Sequence, residues 1–214
     1  MIAAGQILAN AGNGDYQNRD EVTSLLSGDK FTEKAQQLIE KDSENYSLTL
    51  IDLSTLEEAL TQKNKPEEAE HFLADVGAYL RASSVDGDSA GTLEKNRYGV
   101  VHSSKVSEAE ICEHVKSLTQ HLNGAENAEI ISLEIDLSRT GLSLTDSARA
   151  LAYTLDRFAA SGTSDPEFNP KSLSGSVNAL IEDTVNRISG IKNSISQDSF
   201  SGGSSTIIAD RITR

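Results

Sequence analysis

Residues 90–101, AGTLEKNRYGVV, constrain this chain more than any other stretch. Ser89–Leu93 and Tyr98–His102 read as two strands, and the turn between them is too short for a crossover, so they must pair antiparallel. A wholly parallel sheet is thereby excluded. The turn is odd in its own right. Glu94, Lys95, Asn96 and Arg97 crowd it with charge where Asn-Gly or Gly-Gly would be the easy solution.

Around the hairpin the apolar spacing supplies helices and two more strands. Within residues 19–46, Val22, Leu25, Leu26, Phe31, Ala35, Leu38 and Ile39 recur at helical intervals and predict a helix. Leu48 to Leu53 reads as a buried strand that then turns helical. PEEAEHFLADVGAYLRASS opens on Pro66 followed by acids, as a helix N-terminus favours, and Ala69, Phe72, Leu73, Val76 and Leu80 share one face. A helix around Cys112 carries Ile111, Val115, Leu118 and Leu122 in a stripe. AEIISLEIDLS alternates as a strand, and TDSARALAYTLDRFAASG is a helix capped by Thr145 or Asp146. The order α–β–α–α–β–β–α–β–α implies an α/β fold of the α+β sandwich type, with a mainly antiparallel central sheet flanked by helices.

Composition narrows the partners. The 214 residues carry 33 acidic against 19 basic side chains, a formal charge of −14, which opposes a nucleic-acid or anionic-membrane surface. No apolar run reaches the ~20 residues needed to cross a bilayer. The expectation is a cytoplasmic protein meeting other proteins or a small ligand. The single cysteine, Cys112, excludes an internal disulfide and reads as a structural thiol. His71, His102, His114 and His121 show no metal-ligand spacing with acids or with Cys112, and no Ser/His/Asp pattern emerges.

Four strings in order resemble the GGDEF domain, the family of bacterial diguanylate cyclases, over residues 20–162. DEVTSLLSGDKF (Asp20 to Phe31) is similar to the family's D-x-L-T-G-L-x-N-R-R-x-F, with Ser27 and Gly28 in place of Asn-Arg. IDLSTLEE keeps the acid of the metal-bearing strand as Asp52 and has Ser54 for the second. FLADVGAYLRASSVDGD resembles the helix before the signature hairpin, and GTLEKNRYGVV resembles R-x-G-G-D-E-F-A-V-L. Glu94 and Lys95 thus stand for the glycines, Asn96 and Arg97 for the acids, and Tyr98 for the aromatic anchor.

The resemblance implies a nucleotidyl-cyclase-like fold and, through these departures, lost chemistry. Active members hold two Mg²⁺ ions and GTP between the strand acid and the turn acid, which takes hard oxygen ligands. Asp52 remains as a vestigial metal residue, but Asn96 offers a neutral amide and Arg97 a cation, expected to pair with a nearby acid. The guanine-binding Asn aligns with Leu60, and the phosphate-clamping Lys and Arg with AASGTSD. Of the product-binding R-x-x-D, Asp88 is kept and Val85 replaces the Arg. The expectation is a non-enzymatic regulatory or protein-docking module in cyclic di-GMP signalling, needing no cofactor. The alternative is a GTP-binding, non-cyclising domain that regulates an EAL phosphodiesterase domain. A weak cyclase is a third reading.

The remaining segments divide as 1–19, a helical leader; 163–200, a Pro-containing linker and amphipathic helix; and 201–214, a tail. Val177, Leu180, Ile181, Thr184, Ile188, Ile191 and Ile195 stripe the helix, which resembles the lead-in to an EAL domain and would pack back on the domain or dimerise. SGGSS reads as a flexible spacer before TIIADRITR. One reading makes that segment a fused partner peptide, docked through Ile207, Ile208, Arg211 and Ile212; the other makes it an ordinary frayed terminus.

Overall fold

A computed structural model describes residues 18–56, 66–120, 122, 129–139, 141–162 and 171–201, with side chains through residue 187. The elements are β1 (Leu26–Ser27), α1 (Gly28–Asp42), β2 (Tyr46–Asp52), α2 (Pro66–Ser83), β3 (Ala90–Glu94), β4 (Arg97–Ser103), α3 (Glu108–Thr119), β5 (Ile131–Asp136), α4 (Leu144–Ser161) and α5 (Leu173–Ser201). The chain falls into two compact units, residues 1–177 and 178–214. Everything up to the first turn of α5 belongs to the first; the described part of the second is the rest of α5.

The five strands lie in the order β1-β3-β4-β2-β5. Only β1 and β3 run parallel; β3–β4, β4–β2 and β2–β5 are antiparallel. The mainly antiparallel sandwich expected from the hairpin is what the chain builds. Two-residue alternation splits the strands between two cores. Leu48, Leu50, Val101 and Ile135 face α1 and α4, meeting Phe31, Leu38, Leu151, Leu155 and Phe158. Ile51, Tyr98 and Val100 face α2 and α3, meeting Phe72, Val76, Leu80, Ile111 and Val115. Leu173, at the start of α5, joins the first core and is fully buried.

Two local expectations change. The helix predicted through Val22, Leu25 and Leu26 begins only at Gly28. Ahead of it Asp20 Oδ1 accepts from the Thr23 amide and hydroxyl, both at 2.7 Å, and Ser24 takes a positive φ of 57°. That local side-chain turn competes with helix, and it sends Leu26 into a strand beside β3. Helix α4 is capped by Ser143 rather than Thr145 or Asp146. The Ser143 hydroxyl accepts from the Asp146 amide at 3.1 Å, so Asp146 is the third helical residue. Helix α3 has the full reciprocal box, Ser107 with Glu110.

The extension helix expected over 175–200 is present as α5. No helix among the described residues is long and apolar enough to cross a membrane.

Candidate functional site

The hairpin turn consists of Lys95 and Asn96, between Glu94 and Arg97. Asn96 takes the left-handed position, φ 63°, which Asn tolerates better than most residues. It is also buried, and its carbonyl accepts from the Leu53 amide at 2.8 Å. The turn therefore folds down onto the end of β2. Glu94 and Lys95 are exposed, and Tyr98 is buried in the second core.

Register then places Arg97 directly opposite Asp52. Arg97 Nε donates to Asp52 Oδ2 at 3.1 Å, with side-chain exposures of 18% and 8%, so the pair is largely out of water. The same guanidinium donates through a second nitrogen to the Ala159 carbonyl at 2.6 Å. Ala159 lies in the last turn of α4, where unpaired carbonyls and the negative end of the helix dipole favour a cation. The other Asp52 oxygen accepts from the Ser54 amide and hydroxyl. Burial pushes the Asp52 carboxyl up. The Ser54 hydrogen bonds and then the Arg97 guanidinium outweigh that, and its pKa lies below the ordinary carboxylate value.

Gly162 closes the arrangement from above. It ends α4 with φ 58°, its amide donating to the Phe158 carbonyl at 2.7 Å. A Cβ at this position would collide with Asp52 Oδ2 and stand 2.7 Å from Arg97 Nε. The backbone thus lies directly against the ion pair. Both Asp52 oxygens are engaged, by Arg97 and by Ser54, and the Asn96 backbone carbonyl accepts from the Leu53 amide. No group of three or more His, Cys, Asp or Glu among the described residues could hold a metal.

Asp88 lies outside this cluster and pairs with Arg19, 2.8 Å away and 69 residues earlier in the chain. Sequence reasoning missed Arg19, since no local pattern joins the two. Val85 packs against the first core. His102 is fully buried; its Nδ1 donates to the Ser103 carbonyl, leaving Nε2 to accept from Thr49 at 2.8 Å. His114 stacks on Tyr79 at 3.8 Å between ring centres. Leu60, His121, Ile207, Ile208, Arg211 and Ile212 lie outside the described residues.

No family model and no curated protein matches the sequence. Solved structures do share the fold. Vibrio cholerae LapD, an S helix–GGDEF–EAL chain bound to c-di-GMP, superposes with a TM-score of 0.52 at 15% identity over 78% of this chain. This chain spans 39% of the length of that one. The coiled coil and GGDEF domain of DgcB from Caulobacter crescentus, in complex with c-di-GMP, gives a TM-score of 0.50 at 9% identity. There the match covers 78% of this chain and 91% of the other. At such identities the likeness establishes the fold alone, and that fold is the GGDEF fold.

Proposed function

We propose that this is a catalytically silent GGDEF-like domain that serves cyclic di-GMP signalling by docking a protein rather than by turning over nucleotide. The observation that carries the reading is the Asp52–Arg97 ion pair beneath the Gly162 backbone. A cyclase of this fold would need the strand acid free to meet Mg²⁺ and triphosphate oxygens. Here that acid is neutralised by a cation that also holds the end of α4. The turn that would cradle the nucleotide is folded against β2 through Asn96 and Leu53.

The direct test incubates the protein with GTP and Mg²⁺ and looks for cyclic di-GMP by mass spectrometry. None is expected above a protein-free blank, and product above it overturns the reading. Restoring Gly-Gly-Asp-Glu-Phe at residues 94–98 is also expected to give no product, because Leu60 and the AASGTSD stretch, which lacks a phosphate-clamping Lys or Arg, remain. Calorimetry with Mg²⁺ and GTP addresses the other outcome: heat of binding without turnover would replace docking by nucleotide-gated regulation.

A further inference from the structure

We propose that Arg97 couples the hairpin turn to the anchoring of α5, by way of the last turns of α4. An event at the turn that draws the guanidinium off α4 then loosens the start of α5, the helix that runs from the first compact unit into the second. This goes beyond the docking reading, because it concerns how a change at the turn travels and holds whether or not nucleotide is turned over.

At the hairpin end, Arg97 donates to the Asp52 carboxylate at 3.1 Å and to the Ala159 carbonyl at 2.6 Å. A carbonyl in the last turn of a helix has no partner within the helix, and here the guanidinium satisfies it. The Gly162 amide completes the turn by donating to the Phe158 carbonyl at 2.7 Å. Phe158 itself is fully buried in the first core.

At the other end, Thr154 lies four residues before Phe158, on the same face of α4. It is fully buried, and its hydroxyl donates at 2.7 Å to the equally buried Ser176 of α5. Ser176 closes the first turn of α5, its amide reaching the Ser172 carbonyl at 3.1 Å and its hydroxyl the same carbonyl at 3.3 Å. Leu173 is buried in the same core as Phe158, and Val177 packs against that core. The first turn of α5 thus rests on the stretch of α4 whose end Arg97 holds. From Thr154 to Ala159 is five residues, about 7.5 Å of helix.

The element with two arrangements is the last turn of α4. It is closed while Arg97 holds the Ala159 carbonyl, and frayed, with that carbonyl turned to water, once the guanidinium leaves. Fraying unseats Phe158, and the Leu173 and Ser176 contacts lose their backing. Such coupling is reciprocal, so weakening the α5 contact must also loosen Arg97.

The test uses the whole chain and two mild variants. Ser176→Ala removes the acceptor for Thr154. Ser107→Ala, which removes the cap of α3 across the sheet, serves as the control. Proton exchange with water at Arg97 Nε, followed by NMR, should be at least about fivefold faster in Ser176→Ala and within about twofold of the parent in Ser107→Ala. A double-mutant cycle in urea checks the same coupling from the side of stability, with Arg97→Lys in place of a harsher change. Ser176→Ala should raise the unfolding constant at least about fivefold less in the Arg97→Lys background than in the parent, whereas Ser107→Ala should act equally in both. The proposal is overturned if Ser176→Ala leaves the Arg97 exchange rate within about twofold of the parent, or if Ser107→Ala accelerates it as much. Strict additivity of Arg97→Lys with Ser176→Ala overturns it as well.

Discussion

Gly91 and Gly99 stand opposite each other on β3 and β4, and the side chain of Phe31 lies across both. A Cβ at 91 would run into the Phe31 Cβ and ring, and one at 99 would sit 2.5 Å from its Cε1. The two glycines form a slot that seats α1 on the sheet. Gly91→Ala should cost roughly 1–3 kcal/mol by overpacking, and Gly99→Ala less, because it meets the movable end of the ring. Pairing Gly91→Ala with Phe31→Leu should recover part of the loss. Urea denaturation of the single and double variants measures this, and strictly additive effects would remove the slot as the cause.

The ion pair predicts both a stability loss and a pH signature. Arg97→Ala strands a buried carboxylate and uncaps α4, so a loss of about 3 kcal/mol is expected at pH 7. The Asp52 pKa is lowered in the folded protein from its ordinary 3.8, so its contribution is complete above that value and disappears as pH falls through the lower folded one. Stability of the parent should therefore drop more steeply than that of Asp52→Asn below about pH 4. Parallel slopes for the two proteins in acid denaturation would contradict the assignment.

Leu173 is fully buried in the first core, and Ser176 accepts from the Thr154 hydroxyl at 2.7 Å. The start of α5 is thus part of the domain's packing. Leu173→Ala should destabilise by about 3 kcal/mol, and ending the chain at Gly162 should lower the melting temperature as well as remove helical signal. An unchanged melting temperature in both would show that the domain does not depend on this helix.

Cys112 is half-buried, and burial together with the neighbouring Glu108 charge pushes its thiol up, against the opposing effect of Ser132. Its thiolate should be scarce at neutral pH. Reaction with a disulfide reagent at pH 8 should be at least about tenfold slower in the native protein than in urea. Equal rates would mean the thiol is open to solvent.

Much of the fold could be read from residue order, because the hairpin forces antiparallel pairing and Tyr98 falls on its inward face. The misreading at Val22, Leu25 and Leu26 has a definite origin. Short apolar runs fit helix or strand equally, and here the Asp20–Thr23 turn decided against helix. Within the site, the need of Arg97 for an acid was legible from its charge, but the identity of that acid came from strand register, which puts Asp52 opposite across 45 residues. Arg19 finding Asp88 and Gly162 covering Asp52 are likewise products of tertiary approach.

The Asn96 turn and the Arg97 contact also bear on what mutation can undo. An acid at 97 would face Asp52 at hydrogen-bonding range with no counter-charge, and it would release the Ala159 carbonyl in the same step. A glycine at 94 or 95 would loosen the tip without clearing the Gly162 backbone from above it. Replacing Arg97 with an acid would thus lower stability before it restored a ligand. The guanidinium joins β4, the end of β2 and the last turn of α4, so any replacement of Arg97 has to be compensated at all three places at once.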